Sequence, residues 1–128
     1  MCDNIRKAPV IKCKNKTERK LKMESGVVFR MGDRTLTACL SQEIDHHTAK
    51  IIREKIDGEI FLKKPEVLIL DFSGVSFMDS SGLGLILGRC SVAEGVGASV
   101  RVCGASDQLL RLIRLCGLER IKNLTVTV

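Results

Sequence analysis

Several residue types and patterns are scarce in this 128-residue chain, and each absence narrows the possible functions. There is no Trp, no Tyr and only four Phe, so the chain lacks the aromatic platforms on which proteins stack unpaired nucleic-acid bases. No apolar run approaches the roughly 18 residues that a membrane span needs, and the N-terminus lacks the apolar core of a signal peptide. We therefore expect no direct binding to nucleic acid and no membrane span.

Motifs of common enzyme and metal sites are also missing. There is no Walker A lysine pattern and no G-x-S-x-G nucleophile elbow. The spacing Gly82-x-Gly84-x-x-x-Gly88 has one residue too many before its last glycine for a dinucleotide-binding fingerprint. No two of the six cysteines form a C-x-x-C pair or lie at zinc-ligand spacing. These patterns identify neither a catalytic site nor a metal site.

The positions of the cysteines instead bear on the cellular compartment of the protein. Four of them fall within apolar stretches, where a free thiol behaves as a small hydrophobic side chain: Cys39, Cys90, Cys103 and Cys116. Together with the missing signal peptide, this usage indicates a reducing environment. We expect the protein to be cytoplasmic.

The net charge of +6 is concentrated in one segment. Residues 1–22 carry eight Lys or Arg side chains against Asp3 and Glu18, so the remaining residues are neutral as a whole. Such a tail is typical of a solvated, poorly ordered arm, although basic arms also bind nucleic acid or anionic membranes. A third interpretation is that translation begins at Met23. We expect a basic, flexible tail at residues 1–22 and one domain at residues 23–128.

Apolar periodicity predicts an alternation of strands and helices. The expected strands are 27–31, 34–40, 67–70, 99–103 and 124–128, and the expected helices are 46–61, 80–94 and 107–116. Gly32-Asp33 is expected to be the turn of an opening hairpin, and residues 71–79 a connection. The order β-β-α-β-α-β-α-β predicts an α/β domain with a mixed sheet of four to five strands.

A polar, glycine-rich junction comes directly before the second predicted helix, at residues 77–84. The first amides of a helix have no internal partners and carry partial positive charge, so a hydroxyl there is a favourable place for a phosphate. The alternative is that Asp79 or Ser80 is only a helix cap. Composition alone does not decide between these interpretations.

A second constellation, Asp45-His46-His47-Thr48, lies at the start of the first predicted helix. Adjacent histidines point to different sides of a helix and are a poor metal pair. Asp45 is a good N-cap, so one interpretation is a capped helix with two exposed imidazoles. The other is a recognition loop close to the junction at residues 77–84.

Small residues recur along the second predicted helix. Ser80, Gly84, Gly88 and Ser91 share one face at steps of four, four and three. Glycine inside a helix costs roughly 0.5–1 kcal/mol relative to alanine, so this stripe needs a reason. Close packing inside the domain is one, and a docking strip for a partner is the other. The apolar cover for the sheet is expected from Leu83, Ile86, Leu87, Cys90 and Ala93.

Three stretches resemble a known family. Residues 43–49 (E-I-D-H-H-T-A), 68–72 (L-I-L-D-F) and 77–84 (F-M-D-S-S-G-L-G), followed by I-L-G-R at 86–89, are similar to STAS-domain anti-sigma factor antagonists, especially those of sporulation. The resemblance extends from about Val27 to Ile121 in order and spacing. It implies the STAS fold, with helices packed mainly on one side of the sheet.

The resemblance also implies a function. Such antagonists bind an anti-sigma factor that is a serine kinase, which releases a sigma factor; the kinase phosphorylates one serine, here Ser80, and binding ends. A PP2C-type phosphatase resets the switch. The chain is then a ligand and substrate, not an enzyme, and needs no metal or cofactor. The implied partner-binding residues are Asp45, His46, His47, Asp79, Ser81, Gly82, Gly84 and Gly88. Two other classes remain open: a non-switching STAS scaffold of a stress-signalling or lipid-transport complex, and a small nucleotide-binding or enzymatic domain.

Overall fold

A computed structural model describes residues 26–127. Its elements are β1 (Val27–Gly32), β2 (Thr35–Ile44), α1 (His46–Lys63), β3 (Val67–Met78), α2 (Ser81–Gly95), β4 (Ser99–Cys103), α3 (Asp107–Leu115), a 3₁₀ turn (Leu118–Arg120) and β5 (Leu124–Val126). The predicted α/β class and element order are confirmed. The basic tail expected at residues 1–22 lies outside the described residues.

The five strands of the described part form one sheet in the order β1-β2-β3-β4-β5. β1 is antiparallel to β2, and all the other neighbours are parallel. Each parallel crossover moves one strand further in the same direction, and right-handed crossovers of this kind place their helices on the same face. One core accordingly contains side chains of all three helices and of that face of the sheet, among them Ile52, Ile56, Ile60, Leu85, Ile86, Leu109, Ile113, Leu36, Leu68, Leu70 and Val100.

The central strands are longer than the sequence predicts. β2 continues to Ile44, and β3 runs through most of the segment 71–79 that was expected to be a connection. Ser73-Gly74 has the composition of a turn, but Gly74 pairs with Ser41, and the ladder resumes after irregularities to reach Ile44 and Met78. Pairing between strands therefore overrides the local turn signal.

The hairpin turn also differs from the prediction by one residue. Its two central residues are Asp33 and Arg34, with φ of 51° and 61°, whereas Gly32 pairs with Thr35 at the end of the ladder. Two consecutive positive φ values are what a two-residue hairpin turn requires. Arg34 is held in this conformation beside Glu66, whose backbone N–H donates to the Arg34 carbonyl at 2.8 Å.

The described cysteines follow the expectation only in part. Cys90 is a buried free thiol, and burial raises its pKa to about 11, so it packs as an apolar side chain. Cys39 is buried but disulfide-bonded, and the expectation of a free thiol is wrong there. Cys116 is exposed rather than part of the core.

A largely buried ion pair joins α1 to α2. Arg89 Nε lies 2.8 Å from Asp57 Oδ1, and the two side chains are 3% and 25% exposed. Burial raises the pKa of Asp57 and lowers the pKa of Arg89, although each charge opposes the shift of the other. Desolvation therefore outweighs the attraction in this pair. Removing one partner leaves the other charge buried alone, which makes the pair costly to break.

Replacing Asp57 by Asn tests this contact. We expect Asp57→Asn to lower the free energy of unfolding, measured in urea, by about 3 kcal/mol, because it leaves the buried Arg89 guanidinium without a charged partner. The control is Glu66→Gln, which removes a carboxylate from the exposed pair with Arg34 and should change stability by less than about 1 kcal/mol. Equal losses of unfolding free energy in the two variants would show that the Asp57–Arg89 pair contributes no more to stability than the exposed pair.

Candidate functional site

The starts of α1 and α2 lie side by side at one edge of the sheet. The parallel strands β2 and β3 end together, with Ile44 paired to Met78. One residue further, the backbone N–H of Asp79 donates to the Ile44 carbonyl at 3.2 Å. The carboxyl ends of parallel strands are the usual place for binding sites in α/β folds. The two sequence motifs, around Asp45 and around Ser80, therefore form one site.

Asp45 caps α1 as the sequence predicts. Its Oδ1 accepts the backbone N–H groups of His47 and Thr48, both at 2.9 Å, while its own N–H donates to Thr48 Oγ1 at 2.9 Å. This reciprocal arrangement is a capping box. The backbone N–H of Thr48 is the main cause of a lowered pKa at the Asp45 carboxyl. The cap is therefore charged at neutral pH, and its stabilisation is lost only as pH falls through that lowered pKa.

Asp79, not Ser80, supplies the side-chain cap of α2. Its Oδ1 accepts the backbone N–H of Ser81 at 2.8 Å. Ser80 occupies the position before the first helical residue, but its side chain makes no capping hydrogen bond, and it is exposed. Of the two residues expected as the cap, Asp79 supplies the side-chain hydrogen bond and Ser80 does not. Its hydroxyl stands at the positive end of a helix with no structural task among the described residues.

The two histidines have different surroundings. Both are exposed, and the backbone of His47 belongs to the Asp45 cap. His46 lines an open cavity of about 370 Å³ between α1 and α2. The other lining residues are Ala49, Lys50, Arg53, Ser81, Gly84 and Leu85.

Sequence reasoning missed Lys50 and Arg53 in this cavity. With His46, they recur at steps of four and three, which places them on one face of α1. That spacing is the feature of the sequence that could have identified them. It does not indicate a cavity by itself, because the second wall is formed by α2.

The glycines of α2 have contrasting surroundings. Gly82 is buried, and a Cβ at this position would overlap the Met78 side chain. Gly84 and Gly88 have nothing within 4 Å of where a Cβ would lie, so close packing inside the described part of the domain does not explain them. Leu87 lies between them on the same surface and is 51% exposed, so the expectation that it covers the sheet is wrong. We call Ser80, Gly84, Leu87, Gly88 and Ser91 the α2 strip.

Phe77 is a second apolar side chain that the sequence analysis did not single out. It is 56% exposed and lines a cavity of about 430 Å³ between the end of β3 and the start of α3. Its position three residues before Ser80 puts exposed apolar surface next to the phosphoacceptor candidate. Apolar surface of this kind is typical of contact with another protein.

Two further features bear on function. Within residues 26–127, no group of three His, Cys, Asp or Glu side chains is arranged to hold a metal ion. No helix in the same range is long and apolar enough to cross a membrane.

Comparison with known families accounts for this architecture. The sequence model of the STAS domain matches residues 28–128. The chain belongs to the STAS domain family. Its anti-sigma antagonist branch consists of regulatory binding proteins rather than enzymes, which confirms the expectation from the resemblance.

Curated relatives of this STAS chain carry a common description. The anti-sigma F factor antagonist of Paenibacillus polymyxa is 39% identical over 82 residues, which are 64% of this chain and 70% of that protein. The anti-sigma-B factor antagonist of Bacillus subtilis is 27% identical over 103 residues, which are 80% of this chain and 93% of that protein.

Solved structures of the Bacillus antagonist SpoIIAA have the same fold. The unphosphorylated form is 30% identical with a TM-score of 0.62, and the match covers 80% of this chain and 88% of that one. The phosphorylated form is 32% identical with a TM-score of 0.63, covering 80% and 91%.

The contrast between Gly82 and Gly88 predicts opposite effects of alanine. Gly82→Ala displaces Met78 and should lower the free energy of unfolding by about 1–3 kcal/mol. Gly88→Ala adds its methyl to open space and should leave the value unchanged or raise it by up to about 1 kcal/mol through helix propensity. Urea denaturation of both variants measures the difference. A comparable loss in Gly88→Ala would show that the α2 strip is packed against the domain.

Proposed function

We propose that this STAS protein is an anti-sigma factor antagonist whose unphosphorylated form binds an anti-sigma factor with serine kinase activity and thereby releases a sigma factor. Phosphorylation of Ser80 ends the binding, and a PP2C-type phosphatase restores it. The descriptions of the curated relatives support the class. The phosphorylated state of SpoIIAA supports the switch.

The single observation that carries the switch is the state of the Ser80 hydroxyl. It is exposed and takes no part in capping, because Asp79 performs that task through the Ser81 N–H. A kinase can therefore modify Ser80 without breaking a hydrogen bond that holds α2. Ser81 is partly buried, which disfavours it as the acceptor.

The proposed modification is a simple phosphoryl transfer. The Ser80 Oγ attacks the γ-phosphorus of the ATP held by the kinase, the new Oγ–P bond forms as the bond between the γ-phosphorus and ADP breaks, and a base of the kinase accepts the hydroxyl proton. The product carries about −1.5 to −2 charge. The N-terminus of α2 stabilises that charge, so the domain stays folded.

The same charge is unfavourable for a docked partner. Asp79 adjoins Ser80, and Asp45 lies on the neighbouring loop that hydrogen-bonds to Asp79 through Ile44. A partner surface that fits the neutral Ser80 hydroxyl would then face a bulky phosphate close to the carboxylates of Asp45 and Asp79. Repulsion and desolvation at an interface are sufficient to release it.

The α2 strip is the proposed centre of the contact. Leu87 supplies exposed apolar surface, and Gly84 and Gly88 allow a partner backbone to approach closely. Around it, the proposed partner-binding residues are Asp45, His46, His47, Asp79, Ser81 and Gly82. Gly82 is buried, so its contribution is to shape the start of α2.

The proposed setting is the cytoplasm, without direct binding to nucleic acid. We assign the function to residues 23–128, which contain both motifs and every described element. Residues 1–22 are not required in this proposal.

Ser80 is tested by substitution together with a neighbouring control. Incubation of the chain with its cognate kinase and ATP should place phosphate on Ser80, as seen by mass spectrometry. Ser80→Ala should abolish phosphorylation and still bind the kinase. Ser80→Asp should weaken binding by about tenfold, because one carboxylate imitates a phosphate only in part.

The control is Ser81→Ala, which retains the backbone N–H donated to Asp79 and should still be phosphorylated. Phosphate found only on Ser81 would contradict the assignment. Kinase binding without phosphorylation of either serine would instead favour a non-switching STAS scaffold.

A further inference from the structure

A cationic groove separates α1 from α2 beside the phosphoacceptor. It is the cavity of about 370 Å³ described above. His46, Lys50 and Arg53 line it from α1, and Ser81 and Gly84 line it from α2. Since Ser81 follows Ser80 directly, the groove begins one residue after the serine that the proposed function modifies.

The two long cationic side chains in this groove form no ion pair with an acidic side chain within residues 26–127. Lys50 and Arg53 are exposed, and neither forms an ion pair there. The charge of Arg53 acts on Asp57, the next acidic residue along that face of α1, but the ion pair of Asp57 is with Arg89. The carboxylates nearest the mouth, Asp45 and Asp79, accept backbone N–H groups instead.

The opposite wall of the groove is almost bare. Gly84 has open space where a side chain would lie, and Gly88 continues the same surface one turn further. A polypeptide segment can therefore approach the backbone of α2 while its side chains face Lys50 and Arg53. The groove combines unpaired positive charge on one wall with close access on the other.

We infer that this groove receives an acidic segment of the anti-sigma factor. The inference rests on the proposed function and specifies the chemistry of the partner surface, since unpaired cations in a cleft attract the complementary charge. It also gives phosphorylation of Ser80 a second way to weaken binding. A phosphate on Ser80 places a dianion at the head of the groove, where it offsets the positive charge that holds the acidic segment.

The experiment reverses the charge of the groove. The double variant Lys50→Glu, Arg53→Glu is compared with the unmodified chain for binding to the purified anti-sigma factor kinase encoded in the same genome, over a series of salt concentrations. We expect the Kd to rise by at least about tenfold at low salt. The salt dependence of the Kd should flatten as well, because the screened attraction has been removed. Because Arg53 also acts on Asp57, thermal unfolding is measured for the double variant and for Lys50→Glu alone, and a folded Lys50→Glu variant should still bind more weakly than the unmodified chain.

A matched control separates the groove from net charge. Lys55 is exposed on the same helix but does not line the groove, so Lys55→Glu should bind within about twofold of the unmodified chain. Equal weakening by Lys55→Glu, or wild-type affinity in the double variant, would overturn the inference and leave the proposed function intact. Failure of the unmodified chain to bind the kinase would contradict both this inference and the proposed function.

Discussion

The functional end of this molecule depends on one register, the parallel pairing of β2 with β3. Ile44 and Met78 are partners at the end of the ladder, and the Asp79 N–H extends the pairing to the Ile44 carbonyl. Both following helices therefore begin at the same edge and on the same side. Arg89 and Asp57 join the two helices further along. Motifs more than thirty residues apart become a single surface for this reason.

Capping chemistry then divides the polar residues of that surface into two groups. Asp45 and Asp79 satisfy the first amides of α1 and α2, which otherwise lack partners. Because carboxylates perform this task, the hydroxyl of Ser80 is left without a structural role. A serine that capped its helix would lose that hydrogen bond on modification and weaken the helix start. The arrangement allows charge to be added at Ser80 with little effect on the fold.

The sequence allowed prediction of those features that depend on local chemistry. Asp45 as a cap follows from its position before an amphipathic run, and the element order follows from apolar periodicity. Features decided by tertiary contact could not be predicted. Ser73-Gly74 resembles a turn, but Gly74 is held in β3 by its pairing with Ser41 of β2. Gly82 and Gly88 are equivalent in a pattern, although only Gly82 faces a neighbouring side chain. Lys50 and Arg53 acquire a common role only when α2 lies alongside them.

The proposed switch needs no change of backbone conformation, because the interactions involved have a short range. At about 0.1 M salt, exposed charges more than about 10 Å apart are largely screened from one another. A phosphate on Ser80 is therefore felt mainly by the groups that share its edge of the sheet: Asp45, Asp79 and the nearby basic side chains of α1. In the proposed switch, we therefore expect the response to phosphorylation to stay at the surface that the partner contacts and to leave the buried core unchanged.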